Sequence, residues 1–251
     1  MIAPLRIDPL AEPTCMPCPG VRSTARSHLG LVRSINEDRV FDCPERSLWA
    51  VVDGMGGHAG GEFAAQSVID ALRPRPAGGN GGVTLLRDAL TSANDTIVFH
   101  NERLASNAGA TAVALSIQGD RAVIAWVGDS RAYLVRGGEV RQLTRDHSVV
   151  QDLIDAGLLS PADAARHPHA NVVTRAVGVD RALLVDTVQV DLLGGDRLLL
   201  CSDGLSRSLD GGDMPPDSIG ALADRLLAGA LARDGSDNIS LVLIEWGTEV
   251  A

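Results

Sequence analysis

The stretch Leu48-Trp49-Ala50-Val51-Val52-Asp53-Gly54-Met55-Gly56-Gly57-His58 places an apolar run directly before a carboxylate and a group of glycines. A continuous apolar run that ends at a turn signal is typical of a strand covered on both faces. The glycine after Asp53 lets the backbone bend and lets a ligand approach main-chain oxygens. The stretch therefore predicts a buried strand that delivers a carboxylate to an oxygen-rich corner, which suits a hard cation.

The composition favours an ordinary globular protein. The chain has 251 residues, of which 45% are hydrophobic and 22% charged, and its formal net charge is -10. The negative charge argues against a nucleic-acid partner bound through a basic face. No apolar run approaches the roughly 18 residues of a membrane span, and the N-terminus lacks the apolar core of a signal peptide. The sequence therefore predicts a cytoplasmic protein with no membrane or nucleic-acid partner.

Periodicity and turn residues outline a tail and one domain. Prolines in the first twenty residues predict an extended or disordered tail over 1–22. Alternating and apolar runs predict strands over 28–33, 48–53, 111–117, 121–127, 132–136, 139–143, 183–190, 197–201 and 239–246. Three- and four-residue spacing predicts helices over 59–72, 83–104 and 149–156, and a late helix after Pro215-Pro216. Two successive long helices and mostly hairpin-connected strands indicate one α+β domain.

Carboxylates recur at predicted strand ends and tight turns. Each such cluster alone is typical of a plain turn, because Asp, Asn and Gly favour turns. Several carboxylates that converge at sheet ends would repel one another, and bound divalent cations are the simplest compensation. Oxygen ligands favour Mg²⁺ or Mn²⁺ over zinc, and a pair of such ions can activate water for phosphoryl transfer. The clusters are Asn36-Glu37-Asp38, Asp53-Gly54, Gly128-Asp129-Ser130, Ser202-Asp203-Gly204 and Asp237-Asn238.

Arg33 lies four residues before the Glu37-Asp38 turn. Its planar guanidinium suits bidentate contact with phosphate oxygens, although a lone arginine is more often a solvated surface charge. Its position beside the acidic turn makes Arg33 the candidate phosphate-binding residue. For the histidines, structural or surface roles are the preferred interpretation over acid–base catalysis, and this applies to His58, His147, His167 and His169.

The ordered motifs resemble the bacterial PP2C-type, metal-dependent (PPM) serine/threonine protein phosphatases over about residues 26–246. No single motif carries the resemblance, but their order does. The motifs are Gly30-Leu31-Val32-Arg33-Ser34-Ile35-Asn36-Glu37-Asp38, Val52-Asp53-Gly54-Met55-Gly56-Gly57-His58, Gly109-Ala110-Thr111-Ala112, Val127-Gly128-Asp129-Ser130-Arg131, Leu143-Thr144-Arg145-Asp146-His147-Ser148, Thr174-Arg175-Ala176-Val177-Gly178, Cys201-Ser202-Asp203-Gly204-Leu205 and Asp237-Asn238-Ile239-Ser240.

The resemblance implies a four-layer αββα sandwich of two antiparallel sheets, in a domain over 23–248 with a flap at about 145–178. It implies two core Mn²⁺ or Mg²⁺ ions and a third, weaker ion, and a hydroxide between the core ions that attacks phosphorus. By resemblance, Arg33 grips the substrate phosphate, Asp53 bridges the core ions, the Gly54 carbonyl contacts one of them, Asp203 and Asp237 hold the first, Glu37 and Asp38 serve the second, and Asp129 with Asp203 holds the third.

The resemblance further implies hydrolysis of phosphoserine and phosphothreonine in proteins by a monomeric enzyme that opposes a Ser/Thr kinase. One position departs from some of the family. Eukaryotic relatives carry a His, assigned as the acid for the leaving alkoxide, where this chain has Met55. Methionine has no proton to donate. A water, or no dedicated acid, would have to serve here.

Three other functions compete with this interpretation. Gly54-Met55-Gly56-Gly57-His58-Ala59 matches a dinucleotide-binding fingerprint, but no acidic residue closes a second strand about 20 residues later. A catalytically silent adaptor on the same fold is the second, but such an adaptor would lack metal-binding carboxylates, and all the expected ones are present here. A phosphatase of an anti-sigma-factor antagonist is the third, and Arg33 with Thr174-Arg175-Ala176 favours the general protein-phosphatase branch instead.

Overall fold

The computed structural model describes residues 20–57, 59–73, 82–164, 166–209, 214 and 217–247, so most of the predicted tail and His58 lie outside it. Its strands form two five-stranded antiparallel sheets. The first sheet contains, in spatial order, β1 (Val21–His28), β10 (Ile239–Trp246), β9 (Arg197–Cys201), β6 (Arg131–Arg136) and β7 (Glu139–Gln142). The second contains β2 (Arg39–Cys43), β3 (Leu48–Met55), β4 (Gly109–Gln118), β5 (Arg121–Val127) and β8 (Asp186–Asp191).

The three long helices cover the outer faces of the sheets. The described helices are α1 (Ala59–Leu72), α2 (Gly82–Leu104), α3 (Val149–Asp155), α4 (Pro161–Ala164), α5 (Asp203–Ser206) and α6 (Ile219–Arg233), with a 3-10 turn at Pro44–Arg46. One core lies between the second sheet and α1 and α2, one between the sheets, and one between the first sheet and α6. The four-layer αββα sandwich predicted from the sequence is therefore confirmed.

Strand β3 explains the continuous apolar run with which the sequence analysis began. Leu48, Ala50 and Val52 pack toward the helices, whereas Trp49 and Val51 pack between the two sheets. A central strand of a sandwich that also carries helices is buried on both faces, even though its neighbours are antiparallel. The prediction of a doubly covered strand is confirmed.

The predicted strand over 28–33 is wrong. The strand is β1, which ends at His28, and residues 29–38 form the loop after it. Gly30 has a φ of +83°, and the Leu31 N–H donates to the Gly235 carbonyl instead of to a neighbouring strand. Because β1 is polar, its pairing with the apolar β10 decides its structure rather than its own propensity. Val21 and Arg22, which the prediction assigned to the tail, belong to β1 for the same reason.

Several other boundaries shift at the edges of the domain. Strand β8 begins three residues later than predicted, since pairing with β5 starts only at Asp186. Helix α6 begins after Ser218, whose Oγ accepts the Ala221 N–H, and Pro215-Pro216 lies outside the described residues. All strand pairs in the described part of the chain are antiparallel, so it contains no βαβ unit and the dinucleotide-binding alternative is excluded. Among the described helices, none has the length and apolarity to cross a membrane.

Candidate metal centre

The acidic turns meet at one end of the sandwich. Asp53 and Gly54 lie near the end of β3, Asp129 lies in the turn from β5 to β6, and Asp203 follows β9. Glu37 comes from the loop before β2, and Asp237 from the turn before β10. These residues line one cavity of about 260 Å³ that Arg33, Met55, Asn171 and Val173 also line. Every predicted site residue except Asp38 therefore lines this one cavity.

Asp38 is the predicted site residue that does not line the cavity. It is only 2% exposed and lies behind the other carboxylates. Its Oδ2 accepts a hydrogen bond of 2.9 Å from the Ser202 hydroxyl, while burial raises its pKa to about 7. The charges of Asp203 and Asp237 contribute to that rise in pKa, whereas hydrogen bonds from Ser240 and Ser202 oppose it. Asp38 is therefore buried at the back of the cluster, where its charge acts on the other carboxylates.

Burial and mutual repulsion dominate the electrostatics of the cluster. Burial raises the pKa of Asp53 well above its ordinary range, and the charge of Asp38 adds to that shift. Burial, and then repulsion from Asp203, raises the pKa of Asp129 to about 7. Burial also raises the pKa of Glu37, although a hydrogen bond from the Gly61 backbone lowers it. Such a group of carboxylates needs protons or cations to stay together.

Arginines occupy two of the carboxylates. Arg33 Nη2 donates to Asp237 Oδ2 over 2.9 Å, which raises the pKa of the guanidinium. Arg207 Nη2 donates to Asp203 Oδ2. Among the described residues, no three His, Cys, Asp or Glu side chains already form a set that could hold an ion. Arginine and a bound ion would therefore compete for one oxygen of Asp237 and one oxygen of Asp203.

Three carboxylate oxygens of the cluster fit the need for a cation. Glu37 Oε1, Asp38 Oδ1 and Asp203 Oδ1 are buried and have no hydrogen-bond partner within the described part of the chain. A buried polar atom without a partner costs about 1–3 kcal/mol, and more when it is charged. The donor set consists of carboxylates and the Gly54 carbonyl, which suits Mn²⁺ or Mg²⁺. The residues present therefore fit a divalent metal centre.

Close backbone packing explains why glycine stands at position 54. A Cβ on Gly54 would collide with the carbonyl oxygen of Gly61 at the start of α1, and it would lie 2.7 Å from the Glu37 carbonyl oxygen. A Cβ on Gly61 would in turn collide with the Glu37 carboxylate. These two glycines let strand β3, helix α1 and the Glu37 loop approach one another, which positions the Gly54 carbonyl.

Asn238 is a positioning residue to which the sequence analysis gave no role. Its Oδ1 accepts from the Glu37 N–H over 2.9 Å, and its Nδ2 donates to the Leu29 and Ile35 carbonyls over 2.8 and 3.1 Å. Asn238 thus holds both ends of the loop that carries Arg33. An Asn directly after a candidate ligand was the available signal, but its partners lie about 200 residues away in sequence.

His147 holds the turn that carries Asp129, in agreement with its interpretation as a structural residue. The Gly128 N–H donates to His147 Nδ1 over 3.0 Å, and the His147 N–H donates to the Gly128 carbonyl over 2.9 Å. Burial lowers the pKa of His147, which favours the neutral ring. Because Nδ1 accepts the Gly128 N–H, the ring proton is assigned to Nε2, which lies 3.2 Å from Asp186 Oδ2. The ring also stacks on Trp126. His147 therefore supports the metal centre from behind without reaching the cavity.

We expect Mn²⁺ to stabilise the protein more strongly as the pH rises. Asp38 and Asp129 have pKa values of about 7 without metal, above their ordinary value, so the folded protein binds the extra protons between about pH 4 and 7. The free energy of unfolding of the metal-free protein should therefore fall as the pH rises from about 4 to 7. Divalent ions bind the ionised carboxylates, so their stabilising effect should grow over the same range. The measurement is the Tm difference between Mn²⁺ and chelator at pH 5.5 and pH 8.

Two variants test this pH dependence, one that removes a carboxylate of the cluster and a control that removes a carboxylate outside it. Asp129→Asn should flatten the dependence, while Glu139→Gln, an exposed carboxylate on the β6–β7 hairpin, should leave it unchanged. A Tm difference that is the same at both pH values in the unchanged protein would contradict the electrostatic account.

We expect Asn238→Ala to lower the free energy of unfolding by about 1–3 kcal/mol, because it leaves buried backbone groups unpaired. It should also weaken Mn²⁺ binding, since Glu37 loses its anchor. Urea denaturation and Mn²⁺ titration measure the two effects. Ser236→Ala is the matched control, because that hydroxyl donates to the surface carboxylate of Asp234. Unchanged Mn²⁺ affinity in Asn238→Ala would show that the residue does not position Glu37.

The chain is similar to a known protein family and to named bacterial phosphatases. The chain matches the family model of protein phosphatase 2C over residues 19–153. The serine/threonine protein phosphatase PstP of Mycobacterium tuberculosis is 37% identical over 235 residues, which cover 90% of this chain and 45% of that protein. The serine/threonine phosphatase stp of Listeria welshimeri is 36% identical over 236 residues, which cover 88% and 94%. The chain therefore spans about half the length of the mycobacterial relative.

Solved structures share the fold. The crystal structure of the M. tuberculosis phosphatase PstP/Ppp superposes with a TM-score of 0.85 at 35% identity, covering 90% of this chain and 99% of that one. The catalytic domain of PstP in complex with two manganese ions gives a TM-score of 0.82 at 35% identity, with coverage of 90% and 98%. Since the family model matches more than half of the chain and the fold agrees, the chain belongs to the protein phosphatase 2C family.

Proposed function

We propose that this protein hydrolyses phosphoserine and phosphothreonine in proteins with the help of Mn²⁺ or Mg²⁺. The observation that carries the proposal is the convergence of buried carboxylates, with unpartnered oxygens, beside the half-exposed Arg33. A cluster of this kind gathers cations at the bottom of the cavity and leaves a guanidinium at its mouth. That combination suits a phosphate monoester, whose oxygens need positive charge on two sides.

Each carboxylate has a proposed part in holding two core ions. Asp53 would bridge them with help from the Gly54 carbonyl, Asp203 and Asp237 would hold the first, and Glu37 and Asp38 would serve the second. Such ions, when bound, make water a nucleophile at neutral pH and neutralise charge on the phosphoryl group. The raised pKa values support bound cations at the cluster, because positive charge is needed for all these groups to ionise together. Asp129 and Asp203 would share the weaker third ion.

Arg33 would exchange partners when substrate arrives. Its guanidinium now donates to Asp237 Oδ2, and its side chain is 52% exposed at the cavity mouth. If Asp237 held a metal ion, Arg33 would be free to donate two hydrogen bonds to the substrate phosphate. The guanidinium stays charged at every pH at which the enzyme would work, so it orients the phosphate without moving a proton.

The leaving alkoxide has no side-chain acid at position 55. The cavity contains Met55, which cannot donate a proton, and His58 lies outside the described residues. We propose that water in the open cavity protonates the leaving group. A serine or threonine alkoxide would then depend on solvent for its proton, whereas a phenolate leaving group would not.

The remaining alternatives are weaker on specific grounds. An adaptor without activity would not need unpartnered buried carboxylates, which cost stability without a cation. The relatives reported above are named as serine/threonine phosphatases, which supports phosphoproteins as substrates rather than small phosphate esters. A Ser/Thr kinase as the opposing partner, a cytoplasmic location and a monomeric state stay predictions from the sequence.

We expect Asp53→Asn and Asp203→Asn to lower turnover by at least about 10²- to 10³-fold, because each removes charge that holds the ions. The measurement is phosphate release from a phosphothreonine peptide with Mn²⁺ and with chelator. Asp191→Asn, at the far end of β8 in a surface ion pair with Arg121, is the matched control and should remain active. Retained turnover in both cluster variants would refute the metal assignment.

We expect Arg33→Ala to lower kcat/KM for the phosphothreonine peptide by about 10- to 100-fold, as for the loss of a bidentate charged contact. Its Mn²⁺ affinity should be equal or higher, since Asp237 loses a competing partner. Steady-state kinetics and calorimetric Mn²⁺ titration separate the two effects. Arg225→Ala serves as the control, because Arg225 is an exposed arginine on α6 that pairs with Asp217. Loss of Mn²⁺ binding in Arg33→Ala would overturn the phosphate role.

A further inference from the structure

Arg207 lies one helical turn beyond Asp203. Its backbone N–H donates to the Asp203 carbonyl over 3.0 Å, and its guanidinium donates to Asp203 Oδ2. The spacing of four residues places both side chains on the same face of α5. The Arg207 side chain is 32% exposed, so the guanidinium reaches the carboxylate from the solvent side. Arg207 is thus a cation fixed at the rim of the metal centre.

The two oxygens of Asp203 have different environments. Oδ2 accepts from Arg207, whereas Oδ1 is buried and has no partner in the described part of the chain. The Asp203 side chain lines the same cavity as Asp53, the proposed bridge of the core ions. Asp203 can therefore give one oxygen to a core ion while Arg207 keeps the other.

The charge of the Arg207 guanidinium also acts on Asp129. The charge of Arg207 lowers the pKa of Asp129, against the effects of burial and of repulsion from Asp203 and Asp146. Asp129, Asp203 and Arg207 together line both the metal cavity and a second cavity, which extends to Ser206 under the flap. The guanidinium therefore lies at the end of the cluster that Asp129 and Asp203 share.

The other nearby arginines are already engaged. Arg131 holds Asp146 with two nitrogens, at distances of 2.7 to 3.1 Å. Arg33 is engaged with Asp237, and Arg145 pairs with Asp152 and Asp155 on α3. Within the described residues, Arg207 is the arginine paired with either carboxylate of the Asp129–Asp203 pair.

We propose that Arg207 acts as a built-in cation at the Asp129–Asp203 end of the cluster, and that a third divalent ion binds there only by displacing its guanidinium. This inference rests on the proposed function, because it takes Asp53 and Asp203 as ligands of the core ions. The guanidinium does not lose its proton in proteins, so the competition persists at any working pH. The protein would then function with two tightly bound ions and little occupancy of the third position.

The test is the number and affinity of Mn²⁺ ions bound by Arg207→Gln, measured by calorimetry and by the electron paramagnetic resonance of free Mn²⁺. We expect the core pair to bind as in the unchanged protein and the third ion to bind at least about tenfold more tightly, within the usual range of coupling between sites. Arg121→Gln, with the same charge change at the opposite end of β5, should bind like the unchanged protein. Adding Asp129→Asn to Arg207→Gln should cancel the gain.

Equal third-ion affinity in Arg207→Gln and the unchanged protein, with the core pair bound in both, would overturn the proposal. Failure of the proposed function would look different, since the unchanged protein would then bind no pair of ions that Asp53→Asn abolishes. A measurement without any Arg207 variant keeps the proposal testable if that variant does not fold. In the unchanged protein, the Arg207 side-chain ¹⁵N signal should shift during the weak phase of a Mg²⁺ titration. An unmoved signal in that phase, or a shift only with the first two ions, would also overturn it.

Discussion

Repulsion between buried carboxylates is the constraint on which the rest of the site depends. Asp53 is surrounded by the negative charges of Asp38, Asp203, Asp129 and Asp237, and burial strengthens each of these repulsions. An apolar sandwich cannot hold such a group in its ionised form without positive charge. The arginines at the rim supply some of it, and protons or divalent ions must supply the rest. The metal requirement of the family is thus a requirement of this fold's electrostatics as well as of its chemistry.

The sandwich brings these charges together because of how its strands end. Both sheets are antiparallel, so the ends of some strands and the starts of others meet at the same end of the sandwich. Close backbone contacts fix the meeting point, since a Cβ on Gly204 would collide with the Asn238 carbonyl and a Cβ on Gly54 with that of Gly61. The glycines of the motifs therefore serve packing of main chain against main chain. The carboxylates beside them are carried into position by that packing.

The sequence predicted the parts that depend on local patterns. The apolar run of β3 and the periodicity of α1 gave their elements correctly because each buries its own side chains. Strand β1 was missed because its polar sequence is held by β10, more than 200 residues away. The carboxylates could be predicted as a group, since residue type alone suggests shared cations. The roles of Asn238 and Arg207 could not, because they depend on which oxygen each side chain reaches in the folded chain.

The two arginines at the rim differ in what their displacement would accomplish. Arg33 would leave Asp237 toward the open mouth of the cavity, where we propose that its guanidinium binds the substrate phosphate. Arg207 would leave Asp203 toward the flap, where its charge no longer balances Asp129. In the proposed mechanism, loading the core with metal would prepare the substrate site at one end, because an ion held by Asp237 would free Arg33. At the other end a fixed cation already fills the need for charge, so a third ion gains less there than it would beside unpaired carboxylates.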